Sequence, residues 1–274
     1  MYPRLLEIGP FTIYSYGLML AVGFIVASYL LNAELKRKRL DPALGNNITL
    51  LALVAGIAGS KMLYLIEHWS QFTADPIGMA FSPSGLTFYG GFLLAAFAIY
   101  VYLKKKGISF FIGADAISPS LLIGYGIARI GCHLAGDGDY GYPTTLPWGT
   151  DYSNGTYPPS AAFRNFSEIT SQYPNGIVPD TTPLHPTPVY EFLICTLFFS
   201  ILWRMRKTTT PNGKLFMAYL VLAGIERFGI EFLRLNPRLA FGLSEAQLIA
   251  LVLILIGAYG WMRLTNKPQE PQPS

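Results

Sequence analysis

The chain has 274 residues, of which 51% are hydrophobic and 13% charged, and its mean hydropathy is +0.37. That is too apolar and too poor in charge for an ordinary soluble domain, and it indicates a polytopic, all-α membrane protein. The formal net charge of +4 resides in short basic clusters between apolar runs, which read as topology signals rather than a nucleic-acid face.

A helix needs about 20 apolar residues to cross a bilayer. Seven stretches meet that need, at roughly 12–32, 48–67, 86–103, 112–134, 188–205, 215–233 and 245–264. The first is too long for the core of a cleavable signal and lacks a basic segment just before it, so it is expected to remain as a span. The fourth is interrupted by Asp115, Ser118, Pro119 and Ser120. Residues 136–187 follow it, rich in Gly, Pro, Tyr, Thr, Ser and Asn, and are expected to form a loop or small cap ordered by its aromatics. The end of the chain, 265–274, reads as a solvated tail, and the whole as one membrane domain without internal repeat. Cys132 and Cys195 both lie in apolar stretches, where a structural disulfide is not expected.

Basic residues orient the spans. Arg and Lys cluster at 36–39, at 104–106, at Arg204, Arg206, Lys207 and Lys214, and at Arg263 and Lys267, which places thirteen of the twenty on one side. Seven crossings with the N-terminus outside and the C-terminus in the cytoplasm satisfy this asymmetry.

Charged groups inside a bilayer need a partner or a watery cavity. On this topology they collect in the outer half: Tyr14 and Tyr16, Lys61, Tyr89 with Gly90 and Gly91, Arg129 and His133, Tyr190 and Glu191, Glu226, Arg227, Glu231 and Arg234, and Glu245 and Gln247. Arg129 and His133 are four residues apart, as are Arg227 and Glu231, so each pair shares a helix face. Lys61, Arg129 and Arg227 at one depth suit a phosphate, most readily a lipid headgroup, because guanidinium offers planar paired donors to phosphate oxygens. The plainer reading is that these charges pair among themselves and tie helices together. The glycines of "GDGDYG" (136–141) let the backbone approach closely. Its two aspartates lack further acidic ligands at calcium-loop spacing, so no metal is expected.

These motifs resemble the prolipoprotein diacylglyceryl transferase family. The resemblance runs from "YSYGLMLAVGF" (14–24) through "AGSKMLYLI" (58–66), "TFYGGF" (87–92), "ARIGCHLAGD" (128–137), "LPWG", "HPTPVYE" (185–191) and "ERFGIEFLR" (226–234) to "AQLIAL" (246–251). It implies transfer of a diacylglyceryl group from phosphatidylglycerol to the lipobox cysteine thiol of a prolipoprotein, without cofactor, by a monomer in the bacterial inner membrane. It implies that Arg129 and Arg227 hold the phosphate, and that Tyr16, Lys61, Gly90, Gly91, Asp137, Gly141, Glu191 and Glu231 complete the lipid site. Tyr89, a candidate catalytic residue with Arg129, Arg227 and His133, stands where the family has His, and Lys61 stands where it has Arg. His133 falls at an aromatic position of the signature. It is either a proton handler beside Arg129 or a hydrogen-bonded structural imidazole. Two alternatives remain open, a lipid transferase with another acceptor and a non-catalytic lipid-binding or transport protein.

Overall fold

The computed structural model describes residues 1–9, 11–82, 85 and 87–266. Most of the expected tail, 265–274, lies outside the described residues. The chain opens with an antiparallel hairpin, β1 (Arg4–Ile8) and β2 (Phe11–Tyr14). Helices follow in order: α1 (Ser15–Arg37), α2 (Ala43–Glu67), the short α3 (Trp69–Ala74) and α4 (Pro76–Phe81), α5 (Phe88–Lys105) and α6 (Phe110–Ala135). A cap carries the short α7 (Pro159–Ala162) and α8 (Ser167–Thr170) and leads into α9 (Thr187–Met205) and α10 (Lys214–Ile230). The hairpin β3 (Arg238–Ala240) and β4 (Leu243–Ser244) then leads into α11 (Glu245–Thr265).

Among the described residues, the seven helices of 17 residues or more fall on the seven apolar stretches. Five of them, α1, α2, α6, α9 and α11, are long and apolar enough to cross a membrane. They expose side chains such as Ile25, Leu255 and Ile256 that water would not favour and lipid does. Their ends follow from local chemistry. Lys36 with Arg37, and Lys104 with Lys105, sit in the last turns of α1 and α5, where cations complement the C-terminal dipole. Ser244 and Gln247 form a reciprocal capping box that starts α11. Two boundaries depart from expectation. The apolar run that begins near residue 12 is strand until Tyr14, because Phe11–Tyr14 pairs with Arg4–Ile8. Helix α10 stops at Ile230, and the chain turns through Glu231 to Arg234.

The chain divides into two compact units, residues 1–27 with 117–274, and residues 28–116. In the first, α1 meets α6 so closely that a Cβ on Gly23 would lie 2.9 Å from the carbonyl oxygen of Gly124. The cap has its own core of Tyr140, Tyr152, Phe163, Ile169, Val178 and Leu184, all buried. A second core, Leu122, Cys195, Leu202 and Leu215, joins α6, α9 and α10. In the second unit α2 and α5 touch backbone to backbone at Gly59 and Gly90. Its α1 and α2 segments are bridged by Asn46, whose Oδ1 accepts from Asn32 Nδ2 at 2.8 Å.

Candidate active site

Helix α6 delivers Arg129 toward its C-terminal end, about two helical turns before the chain leaves at Gly136. Its guanidinium is nearly enclosed, with a side-chain exposure of 12%. Two of its three nitrogens are occupied. Nε donates to Glu191 Oε2, Nη1 donates to Asp139 Oδ2 at 2.6 Å, and the same Nη1 lies 3.4 Å from Cys132 Sγ. The Tyr125 ring, one turn earlier, lies 5.7 Å from its Cζ, within cation–π range. Nη2 is buried and has no hydrogen-bond partner among the described residues.

Two further arginines complete a network. Arg234 donates from Nη2 to Asp139 Oδ1 and from Nη1 to Glu191 Oε1 at 3.3 Å. Arg227 lies 3.0 Å from Glu231 Oε2 and 3.6 Å from Glu191 Oε1. Glu191 and Glu231 are wholly buried, and Glu231 also accepts from Asn236 Nδ2 at 2.6 Å. Three guanidiniums thus face three carboxylates with no formal charge left over. Such balance is what a low-dielectric setting demands, since removing one partner would strand a buried charge. Burial by itself would raise the Asp139 carboxyl, but Arg129 and Arg234 outweigh it and hold it at about 2. Asp137 has no such pairing, and burial first, then Asp139, pushes its carboxyl up.

The turn 136–141 is shaped by Gly136 and Gly138, both at positive φ, which bring Asp139 back beneath Arg129. Gly141 bridges Arg234 and donates its N–H to the His185 carbonyl at 2.9 Å, packed too closely against Leu233 and Thr187 to carry a side chain. Tyr16, in the first turn of α1, packs with its backbone on Gly131. His133 turns toward the cap, where its Nδ1 lies 2.9 Å from the buried Tyr152 hydroxyl.

The first unit therefore brings together Arg129, Arg227, Glu191 and Glu231, with Tyr16, Asp137 and Gly141 around them. Lys61, Tyr89, Gly90 and Gly91 belong to the second unit. There Lys61 Nζ donates to the Ser82 carbonyl at 2.9 Å and lies over the Tyr64 ring. Gly90 and Gly91 pack against Gly59, Ser60 and Gly56 of α2, and Tyr89 is exposed on the first turn of α5. Sequence reasoning selected Asp137, but the carboxylate on the arginines is Asp139. It also left Arg234 outside the lipid-site set. Glu226 is buried too, and its Oε1 has no hydrogen-bond partner among the described residues.

Cys132 Sγ and the carboxylates of Asp137 and Asp139 offer ligand atoms within 4.8 Å of one another. The set fits a metal poorly, because both Asp139 oxygens are already taken by arginines and Arg129 stands 3.4 Å from the sulfur.

Comparison with known proteins gives the family of the chain. The family model for prolipoprotein diacylglyceryl transferase matches residues 3–263. A phosphatidylglycerol–prolipoprotein diacylglyceryl transferase of Clostridium tetani is 32% identical over 261 residues, covering 94% of this chain and 96% of the relative. One of Leptospira interrogans is 30% identical over 92% of this chain and 88% of its own length. One of Trichormus variabilis is 29% identical over 97% and 91%.

Proposed function

Because the chain belongs to the prolipoprotein diacylglyceryl transferase family, we propose that it moves a diacylglyceryl group from phosphatidylglycerol to the lipobox cysteine thiol of a prolipoprotein. The carbon–oxygen bond between the diacylglyceryl carbon and the phosphate breaks, a carbon–sulfur bond forms, and glycerol phosphate leaves. The thiol proton is lost, since thiolate is the nucleophile. Electrophile and nucleophile both arrive on substrates, so the reaction calls for no cofactor.

The observation that carries this reading is Arg129, enclosed at the end of α6 with Nη2 unpartnered among the described residues. A preorganised guanidinium in a dry site stabilises charge that develops on a leaving phosphate far better than one in water. Arg227, the most exposed arginine of the network, is the second phosphate contact. Glu191 and Glu231 fix the two guanidiniums, and Tyr16 orients the headgroup. His133, bonded to Tyr152, joins α6 to the cap. In this reading the protein is a monomer of seven crossings in the bacterial inner membrane, and the cap and site face the outer leaflet.

The test is to incubate the purified protein with phosphatidylglycerol and a lipobox peptide. A mass gain of one diacylglyceryl group on the peptide cysteine is expected. No gain by folded protein, beside an active control enzyme, overturns the proposal.

A further inference from the structure

Asp139 uses both carboxylate oxygens, each on a different arginine: Oδ2 accepts from Arg129 Nη1 at 2.6 Å, and Oδ1 accepts from Arg234 Nη2. A phosphodiester presents two non-bridging oxygens in the same fashion, so carboxylate and phosphate compete for one pair of donors.

The three carboxylates of the network are not equivalent. Glu191 is wholly buried on α9, and Glu231 is wholly buried at the end of α10 and tied to Asn236. Asp139 stands on a loop, and its side chain is 28% exposed. Its backbone is nevertheless fixed, because Thr187 Oγ1 donates to its carbonyl and Gly141 N–H donates to His185. The carboxylate can therefore leave by rotating its side chain, without any opening of the turn. Arg129 Nη2, buried and unpartnered among the described residues, gives an arriving anion a first contact while Nη1 still holds Asp139.

We propose that Asp139 is an internal stand-in for the substrate phosphate. It bridges Arg129 and Arg234 while the lipid donor is absent, and the two phosphodiester oxygens displace it when the donor binds. This rests on the reading of Arg129 as a phosphate-holding residue, and it adds Arg234 to Arg129 and Arg227 as a third phosphate contact. The arrangement keeps buried guanidiniums paired between turnovers. It also sets the specificity of the donor site: a headgroup without an anion has nothing with which to displace a carboxylate from two arginines. The same contact weakens donor affinity, because binding must first break it.

The experiment uses the full-length protein in mixed micelles, with initial transfer rates to a lipobox peptide measured against phosphatidylglycerol mole fraction. D139N keeps the shape and removes the charge, and its KM for phosphatidylglycerol should fall about fivefold, whereas D139E stays at or above the original KM. D137N, which removes a neighbouring charge that bridges no two arginines among the described residues, should shift KM less. An unchanged or higher KM in D139N that elutes and melts as a folded protein overturns the proposal, and so does an equal fall in D137N. If D139N does not fold, D139S is judged by the same criterion. R129K keeps the two readings apart. A raised KM in R129K together with an unchanged KM in D139N overturns displacement alone, while R129K with the original KM overturns the phosphate role of Arg129 itself.

Discussion

Asp137 and Asp139 are two residues apart, yet their surroundings push them in opposite directions. Asp139 is raised by burial but held down by Arg129 and Arg234 to about 2, below the ordinary value near 4. A depressed folded value contributes stability above the unfolded value, and that contribution is lost as pH falls through the folded one. Asp137 is raised, first by burial and then by Asp139, so its contribution is present at low pH and lost as pH rises through its folded value. Thermal unfolding in detergent should therefore show D139N with a flatter loss of stability between about pH 4 and 2. D137N should melt above the unaltered protein at neutral pH. A D139N curve parallel to the original throughout that acid range would contradict the ion-pair assignment. The sequence could not separate these two aspartates. Helical period relates Arg129 to His133, but it ends at Ala135, and the positive-φ glycines 136 and 138 then aim Asp139 inward by backbone geometry alone. Arg234 shares Asp139 across 95 positions of chain, a distance no local pattern encodes.

Elements were more legible than contacts. Every long helix falls on an apolar stretch, because some 20 apolar residues leave the backbone no solution in lipid except a helix. What composition hid was pairing: residues 11–14 are as apolar as the helix after them, and only Arg4–Ile8 alongside makes them strand. The glycines of "TFYGGF" resembled part of a lipid site, and within their own unit they also let helices meet. A Cβ on Gly59 would lie 2.6 Å from Leu94 Cβ and 2.9 Å from the Gly90 carbonyl carbon, against backbone that cannot rotate away. Gly59→Ala should therefore destabilise by about 1–3 kcal/mol, as overpacking commonly does. Its melting temperature should fall clearly below that of Gly56→Ala, since a Cβ at Gly56 meets nothing within 4 Å. Equal melting temperatures would mean that α2 and α5 are not in backbone contact.

At the scale of the whole molecule, charge asymmetry makes a prediction of orientation. The basic clusters at 36–39, 104–106 and 204–214 predict that a reporter fused after Thr265 works in the cytoplasm. A thiol label placed in the cap, at exposed Tyr157, should react with impermeant reagent from outside. Reversed labelling would overturn seven crossings with an external cap. The cap itself was foreseeable as a polar, aromatic stretch, but its core was not, because Tyr140, Phe163 and Leu184 find one another through turns rather than a period. The members of the ion network are also made at different times. Arg129 receives Asp139 ten residues later, but Glu191 only sixty-two residues later. At 5–20 residues per second that second interval is roughly 3–12 s. Of the two carboxylates that Arg129 meets in the folded protein, Asp139 is thus the one already synthesised during that interval.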